Sequence, residues 1–438
     1  MPETTVQAES ESTSRRTFLK AGSAGIAAAL TLGPSLSARA FAAGDDTIKV
    51  GLVGCGGRGT GAAEQALTTE GSVKLVAVGD AFPDPAAKAL EYLKKHFAEQ
   101  PDRVDVAPEQ VHAGFDAYKH VVDACDVVLL ATPTHFRPEH LKYAIDQGKH
   151  VFCEKPVAVD GPGLRSVMES CKRAQEKKLS VVSGLCWRYH PAVKAAFEQV
   201  HDGKIGDVVA ARCSYFTNQL NYYPRQDSWS DMEWQVRNWT WFNWLSGDHI
   251  AEQHVHSIDK VLWAMGDKPP VSATGTGGRF LREEGRGDVY DHFAIEYVFD
   301  NDVTAFGRCR QQDACARDVT DTIYGTKGNL VVSSARVHIT GENKWRYRGP
   351  DGNMYQVEHD ALFKSIREGS PINNGDYMTK STATALLGRE AAYTGQVAKW
   401  DELLASEVRL GPGKYEWTNI PTPPVRKPGD GLGQEPTA

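Results

Sequence analysis

The sequence predicts an α/β chain in two parts: a doubly wound parallel sheet in the first half, then an α+β domain with a large open sheet, mixed or antiparallel. Three observations predict it. Apolar, β-branched runs alternate with helical patterns from Ile48 to Gly184, and that alternation implies parallel strands joined by right-handed crossovers. The first of these strands breaks into Gly54-Cys55-Gly56-Gly57-Arg58-Gly59 before a helix-compatible segment. From Val271 to Ser333, runs of alternating polarity succeed one another across short turns, which suits antiparallel or mixed pairing.

Bulk properties narrow the partners. The 438 residues suffice for two domains with extensions. The net charge is -7, with no long basic run in the body, which argues against nucleic acid or an anionic membrane surface. The eight cysteines (Cys55, Cys125, Cys153, Cys171, Cys186, Cys213, Cys309 and Cys315) form no C-x-x-C pair. Most fall in apolar strands or helices, so buried free thiols are expected in place of a disulfide framework or a zinc site.

Residues 1–42 read as an address. Ser14-Arg15-Arg16-Thr17-Phe18-Leu19-Lys20 precedes the apolar run Ala21 to Leu32, and Ala38-Arg39-Ala40 and Ala40-Phe41-Ala42 offer small-residue cleavage sites. The apolar run is too short to span a bilayer. It reads as a removable export signal, and the Arg pair resembles the twin-arginine type, which implies the twin-arginine machinery as a partner and a periplasmic or otherwise exported protein. A disordered tail with a chance Arg pair is the competing reading, and an uncleaved anchor stays open.

Residues 43–184 form the first domain. Ile48 to Val53 reads as a strand and Thr60 to Leu67 as a helix. Gly54, Gly56 and Gly59 are spaced as G-x-G-x-x-G, with Gly57 and Arg58 inside the same turn. The first glycine allows the turn, the second lets backbone approach a pyrophosphate, and the third lets the helix pack close to the strand. A second strand, Val73 to Val78, leads to Asp80, about 20 residues past the glycines, where an acid holds a ribose 2′-hydroxyl. Together these describe a Rossmann dinucleotide-binding domain. Ala81-Phe82-Pro83 offers no cation for a 2′-phosphate, so NAD is favoured over NADP.

The alternation continues through Pro85 to Ala98 (helix), Asp126 to Ala131 (strand), Pro138 to Gln147 (helix, closed by Gly148), His150 to Cys153 (strand), Gly161 to Lys177 (helix) and Ser180 to Gly184 (strand). Ligands lie beyond the carboxyl ends of such strands. The glycine turn, Thr132-Pro133-Thr134-His135 and Glu154-Lys155-Pro156 all fall there. Thr132, Pro133, His135, Glu154 and Lys155 therefore join the glycines, Arg58 and Asp80 as cofactor candidates. A lysine at this edge can hydrogen-bond a substrate hydroxyl and assist proton transfer. A surface lysine in a loop is the competing reading of Lys155.

Gly54-Cys55-Gly56-Gly57-Arg58-Gly59, Ala131-Thr132-Pro133 and Gly148-Lys149-His150-Val151-Phe152-Cys153-Glu154-Lys155-Pro156 together resemble the glucose–fructose oxidoreductase and inositol dehydrogenase family, Gfo/Idh/MocA. The resemblance runs from about Ile48 to about Leu404, and its most specific mark is Glu154-Lys155-Pro156. It implies a nucleotide domain followed by an α/β domain with a large open sheet, hydride chemistry on sugars or polyols, and Lys155 as the catalytic lysine. The twin-arginine route carries folded proteins, often with a cofactor loaded. No pool of free nicotinamide nucleotide is expected outside the cytoplasm, so a non-dissociating nucleotide restored on the enzyme is expected. The same route argues against essential disulfides.

Residues 185–376 form the second domain. Gly206 to Phe216 reads as a strand, and Tyr215 to Trp244 is rich in aromatics. Aromatic faces stack on sugar C–H faces and equally on core or subunit neighbours. Ser246 to Leu262 reads as one helix with Asp248 as N-cap. Ala251, Val255, Ile258 and Leu262 make a buried stripe, and His249, Glu252, His256 and Asp259 a polar stripe beside it. A row of imidazole and carboxylate beside a buried face suits proton handling. A solvated helix face is one alternative. A metal site is another, but the spacing is not H-E-x-x-H and hydride chemistry needs none, so no metal is expected.

The family's segment here reads D-x-G-x-H-x-x-D. This chain has Glu252 for the first Asp and His254 for Gly, and matches at His256 and Asp259. The resemblance thus makes His256 the catalytic acid/base and Glu252 its supporting carboxylate. His254 has no family precedent and is expected to narrow or reshape the pocket. Arg188, His190, His249 and Asp259 are candidate substrate residues, with a structural salt bridge as the competing reading at Arg188 and His190.

Val271 to Gly277, Asp291 to Phe299, Val303 to Arg310, Asp318 to Tyr324 and Asn329 to Ser333 are the remaining strands. Residues 377–406, helical from Met378, are expected to pack back near the cofactor domain. Residues 407–438, rich in Pro and Gly from Gly411, read as an extended arm or disordered tail. The open sheet is the expected face of a homo-oligomer. The combined reading is an exported oxidoreductase of a carbohydrate or polyol with tightly bound NAD. The alternatives are a redox-neutral, NAD-dependent glycosidase acting by transient oxidation and elimination, and a nucleotide-bound scaffold without turnover.

Overall fold

The computed structural model describes residues 47–429. The export signal read in residues 1–42 and the end of the tail, residues 430–438, lie outside the described residues.

The first half alternates as β1 (Ile48–Val53), α1 (Gly57–Thr68), β2 (Val73–Asp80), α2 (Pro83–His96), β3 (Val111–Ala113), α3 (Ala117–Ala124), β4 (Val127–Leu130), α4 (Arg137–Asp146), β5 (His150–Cys153), α5 (Gly161–Glu176) and β6 (Val181–Ser183). Its six strands are all parallel, in the order β3-β2-β1-β4-β5-β6. Every residue of β4, β5 and β6 is buried, as expected of a parallel sheet covered on both faces. Strand order reverses between β1 and β4, which opens a crevice at their carboxyl ends. The glycine turn sits in that crevice.

The second half runs α6 (Pro191–His201), β7 (Val208–Thr217), α7 (Asp231–Arg237), α8 (Asn243–Ser246), α9 (His249–Glu252), α10 (Val255–Ala264), β8 (Ser272–Gly278), β9 (His292–Val298), β10 (Thr304–Gln311), β11 (Thr320–Gly325), β12 (Gly328–Ser333), β13 (Val337–Gly341), β14 (Trp345–Arg346), α11 (Met354–Arg367), α12 (Gly375–Thr394), β15 (Ala398–Lys399) and α13 (Trp400–Ala405). Its nine-stranded sheet has the order β14-β13-β12-β11-β7-β10-β9-β8-β15. Only β7 and β10 pair parallel in it. Phe293, Ile295 and Tyr297 of β9 point into the core, while Ala294 and Glu296 point out. α10 and α12 cover the inner face. Val209 and Phe306 are exposed.

The single helix expected after the Asp248 cap is two pieces, α9 and α10. After α9 the chain makes a wide turn in which His254 N–H reaches the His249 carbonyl, 3.1 Å away. The cause is non-local. The Gln253 side chain is drawn to the sheet, accepting from Thr217 Oγ1 at 3.1 Å and Gln311 Nε2 at 2.9 Å. The long helix from Met378 to Ser406 is also divided. α12 ends at Gly395 in a left-handed cap, φ +68°, and α13 follows a short strand. α11 is an element the sequence reading does not include. It buries Leu362, Phe363 and Ile366 and packs on α1.

Residues 407–429 form an arm laid over the body. Leu410 N–H donates to Asp160 Oδ2 at 3.0 Å, Met232 N–H to the Thr418 carbonyl at 3.2 Å, and Gly429 N–H to the Thr394 carbonyl at 3.0 Å. All eight cysteines are free, and only Cys315 is partly exposed.

Candidate active site

The glycine turn is shaped on one side by crowding and on the other by space. Gly54 has φ +92°, and a Cβ there would lie 2.6 Å from the Ala131–Thr132 peptide. A Cβ on Gly59 would lie 1.8 Å from the Gly54 carbonyl oxygen. Nothing lies within 4 Å of a Cβ at Gly56 or Gly57. That open side faces the start of α1, whose amides have no side-chain cap and are free to bind phosphate. Gly54 to Gly57, Asp80, Thr132 and Pro133 line a cleft of about 890 Å³. These features fit a dinucleotide.

Asp80 lines the cleft and braces the turn. Its Oδ2 accepts from Cys55 N–H at 2.7 Å and its Oδ1 from Phe82 N–H at 3.0 Å. Burial lifts its carboxyl above the usual range against those bonds. Besides Lys88 of α2, the structure brings a second cation here from far along the chain. Arg237 of α7 lines the cleft, with its guanidinium 3.8 Å above the Phe82 ring. It is already paired with Asp84 at 3.2 Å and Glu233 at 2.9 Å.

Other cofactor candidates are placed differently from the sequence reading. Arg58 turns to Glu154, Nε to Oε1 at 3.0 Å, and lies over the Tyr355 ring. Glu154 is buried and also accepts from Lys155 N–H at 3.1 Å. Both residues brace the glycine turn against the β5 edge, and neither lines the cleft wall. His135 is drawn under the C-terminal arm, with Nε2 2.8 Å from the Tyr415 hydroxyl. Burial there pushes its imidazole down to about 4.

Lys155 joins the two halves of the chain. Its Nζ donates to the Glu252 carbonyl and lies 3.1 Å from Glu252 Oε1. Both side chains are nearly buried, at 14% and 15% exposure. The other carboxylate oxygen, Oε2, is buried without a hydrogen-bond partner, and so is His256 Nδ1 one turn on. Burial, then the Lys155 and Lys260 charges, hold the His256 imidazole well below its ordinary value. Lys260 is buried, donates to the His256 carbonyl at 3.1 Å and pairs with Asp321 at 2.8 Å. Tyr215 of β7 completes the surroundings. Burial and the Glu252 charge push its phenol up to about 12. The arrangement offers a neutral base, a fixed ammonium donor and an unused carboxylate acceptor in one place.

The candidate substrate residues divide. Arg188 grips Asp259 through Nη2 at 2.8 Å and Nε at 3.0 Å, and Asp267 at 2.6 Å. Ser381 Oγ–H also donates to Asp259 at 2.8 Å. Arg188 and Asp259 are thus committed to each other, which corrects their reading as substrate contacts. His190 caps α6, its Nδ1 accepting from Ala192 N–H at 3.2 Å. His249 Nδ1 lies 2.9 Å from Asp248 Oδ1, and its Nε2 is buried without a partner. His254 is in the core and not at a pocket wall. Its Nε2 lies 3.4 Å from Cys213 Sγ, a Cβ on Gly307 would come within 3.1 Å of its ring, and burial lowers it to about 3. Among the described residues no group of three or more His, Cys, Asp or Glu could hold a metal ion.

Comparison with known proteins decides the family. The oxidoreductase family with an NAD-binding Rossmann fold, GFO/IDH/MocA, matches residues 48–184, and the GFO/IDH/MocA C-terminal domain matches residues 193–331. The chain belongs to the Gfo/Idh/MocA oxidoreductases. An uncharacterized oxidoreductase of Streptococcus pneumoniae is 31% identical over 180 residues, covering 41% of this chain and 44% of that protein. Inositol 2-dehydrogenase of Rhizobium meliloti is 24% identical over 298 residues, 68% of this Gfo/Idh/MocA chain and 76% of the relative. The solved structure of levoglucosan dehydrogenase in complex with NADH and levoglucosan superposes with a TM-score of 0.63 at 19% identity. It covers 81% of this chain and 99% of that one, a likeness of fold.

Proposed function

We propose that this Gfo/Idh/MocA protein is a dehydrogenase that oxidises a CH–OH group of a sugar or polyol with tightly bound NAD. One observation carries the reading: Lys155 bridges to Glu252 at the nucleotide edge, beside two buried polar atoms, Glu252 Oε2 and His256 Nδ1, that have no protein partner. Buried polar atoms are ordinarily paired, and a ligand hydroxyl would pair these two. A polyol hydroxyl supplies both a donor and an acceptor. The inositol and levoglucosan dehydrogenases noted above support the substrate class.

Bound nicotinamide would accept the hydride from the carbinol carbon. The Lys155 ammonium donates to the substrate hydroxyl oxygen and favours its developing negative charge. His256, neutral because it is buried beside two cations, accepts the hydroxyl proton. Glu252 fixes the ammonium and offers Oε2 to a neighbouring hydroxyl. Asp80 is the acceptor for a ribose hydroxyl. Arg237 is already neutralised by Asp84 and Glu233, which supports NAD over NADP. The Arg15-Arg16 signal supports export with the nucleotide loaded. The open sheet, with Val209 and Phe306 exposed, is the proposed subunit interface.

The test is mass spectrometry of nucleotide released from purified protein, then a sugar and polyol panel followed at the reduced-nicotinamide absorbance. Released NAD, and reduction by one substrate class that Lys155→Ala abolishes, are expected. Glycoside cleavage with solvent deuterium entering the substrate and no net redox change would overturn it.

A further inference from the structure

We infer that the C-terminal arm props the adenine end of the cofactor cleft from behind, with Trp417 and Tyr415 backing the Phe82 and Phe115 rings that line it. This rests on the reading that a nicotinamide dinucleotide occupies the cleft. Ligands of a doubly wound sheet sit at its carboxyl edge, and the arm runs along that edge. Gly411, φ +94°, is pressed against Trp244 and His135 so closely that a Cβ would come within 2.6 Å and 3.1 Å of them. Tyr415 bonds to His135 after β4 and lies 5.7 Å from the Phe115 ring. Trp417 stacks on Phe115 with ring centres 4.3 Å apart, and lies 5.0 Å from Phe82.

Phe82 and Phe115 both line the cleft. They follow β2 and β3, the Asp80 side, where the adenosine ribose belongs. Phe82 touches both the Arg237 guanidinium and the Trp417 ring. A flat π-surface held in this way is a stacking platform for a purine. The arm is fastened on both sides of Trp417, by Leu410 to Asp160 and by Asn419 Oδ1, which accepts from Asp231 N–H at 3.2 Å. The wall is therefore held in place across both halves of the chain. Trp417 remains 41% exposed, so the fold does not depend on burying it.

The test uses full-length protein loaded with NADH and the rate at which excess NAD⁺ displaces it, read by nicotinamide fluorescence. Trp417→Ala should release NADH about tenfold faster, because Phe82 and Phe115 lose the ring that backs them, and Trp417→Phe should stay near wild type. Binding of ADP-ribose should weaken by the same factor, while nicotinamide mononucleotide, which lacks the adenosine, should bind as before. Should Trp417→Ala also lower Tm, Trp417→Leu carries the comparison. An unchanged release rate, or equal weakening of ADP-ribose and nicotinamide mononucleotide, would overturn the proposal. Rapid release from wild type would sink the tight-binding reading and leave the ratio between variants intact.

Discussion

Two cation–carboxylate pairs take their acids from consecutive short helices, Glu252 from α9 and Asp259 from α10, and they differ in how fully they are bonded. Arg188 and Asp259 meet with the bonds of both groups used, supplemented by Asp267 and Ser381. Lys155 and Glu252 meet with one carboxylate oxygen left over and an unpartnered imidazole nitrogen beside it. The residue types are nearly the same. What separates the brace from the proposed reactive site is unfinished hydrogen bonding: a saturated buried pair has nothing left to offer a ligand, whereas an unsaturated one incurs a desolvation cost that a ligand can relieve.

The comparison can be broken by removing each cation. Lys155→Met should lower kcat by about 10⁴-fold with little change in Tm, because its partner Glu252 keeps 15% exposure and water can reach it. Arg188→Met should do the reverse. Stranding the buried Asp259 carboxylate costs about 3–5 kcal/mol, read as a lower denaturant midpoint, while kcat per folded molecule is retained. If both variants lose activity and stability alike, the distinction fails.

The contrast sharpens at His256. His256→Gln should cost about 10²-fold in kcat/KM. Its depressed imidazole stays neutral below the ordinary value, so the acid limb of kcat/KM should fall at a pH below about 6.5. Removing a neighbouring cation raises an imidazole pKa. The double variant Lys260→Met with Asp321→Leu, which strands no charge, should therefore move that limb upward. The smallest effect is expected at His190→Ala, about 1 kcal/mol for a lost helix cap, with the pH profile unchanged.

The parts of this molecule that could be read in the sequence are those fixed by near neighbours. The strand–glycine–helix unit and Glu154-Lys155-Pro156 are local patterns, and the Glu252 to His256 spacing put a carboxylate and an imidazole on adjacent turns. The parts that could not be read depend on distant contacts. The wide turn at His254 is made by Thr217 and Gln311 pulling on Gln253. His254 lies in the core because Gly307, on another strand, leaves it room. Arg237 reaches the cleft from α7, far along the chain from the Phe82 ring it covers. The Arg188–Asp259 pair closes a separation of 71 residues that no periodicity reports. Helix α11 carries a signal that could have found it: Asn353 accepts from Tyr355 N–H as its N-cap, ahead of Leu362 and Ile366 one turn apart.

Chain order gives the arm a role during synthesis. Both sheets and the glycine turn are encoded upstream of residue 407, and nascent domains fold from the N-terminus first. The sheets and the glycine turn can therefore form before the arm is laid over them, and the rings that Trp417 backs, Phe82 and Phe115, are in place ahead of their support.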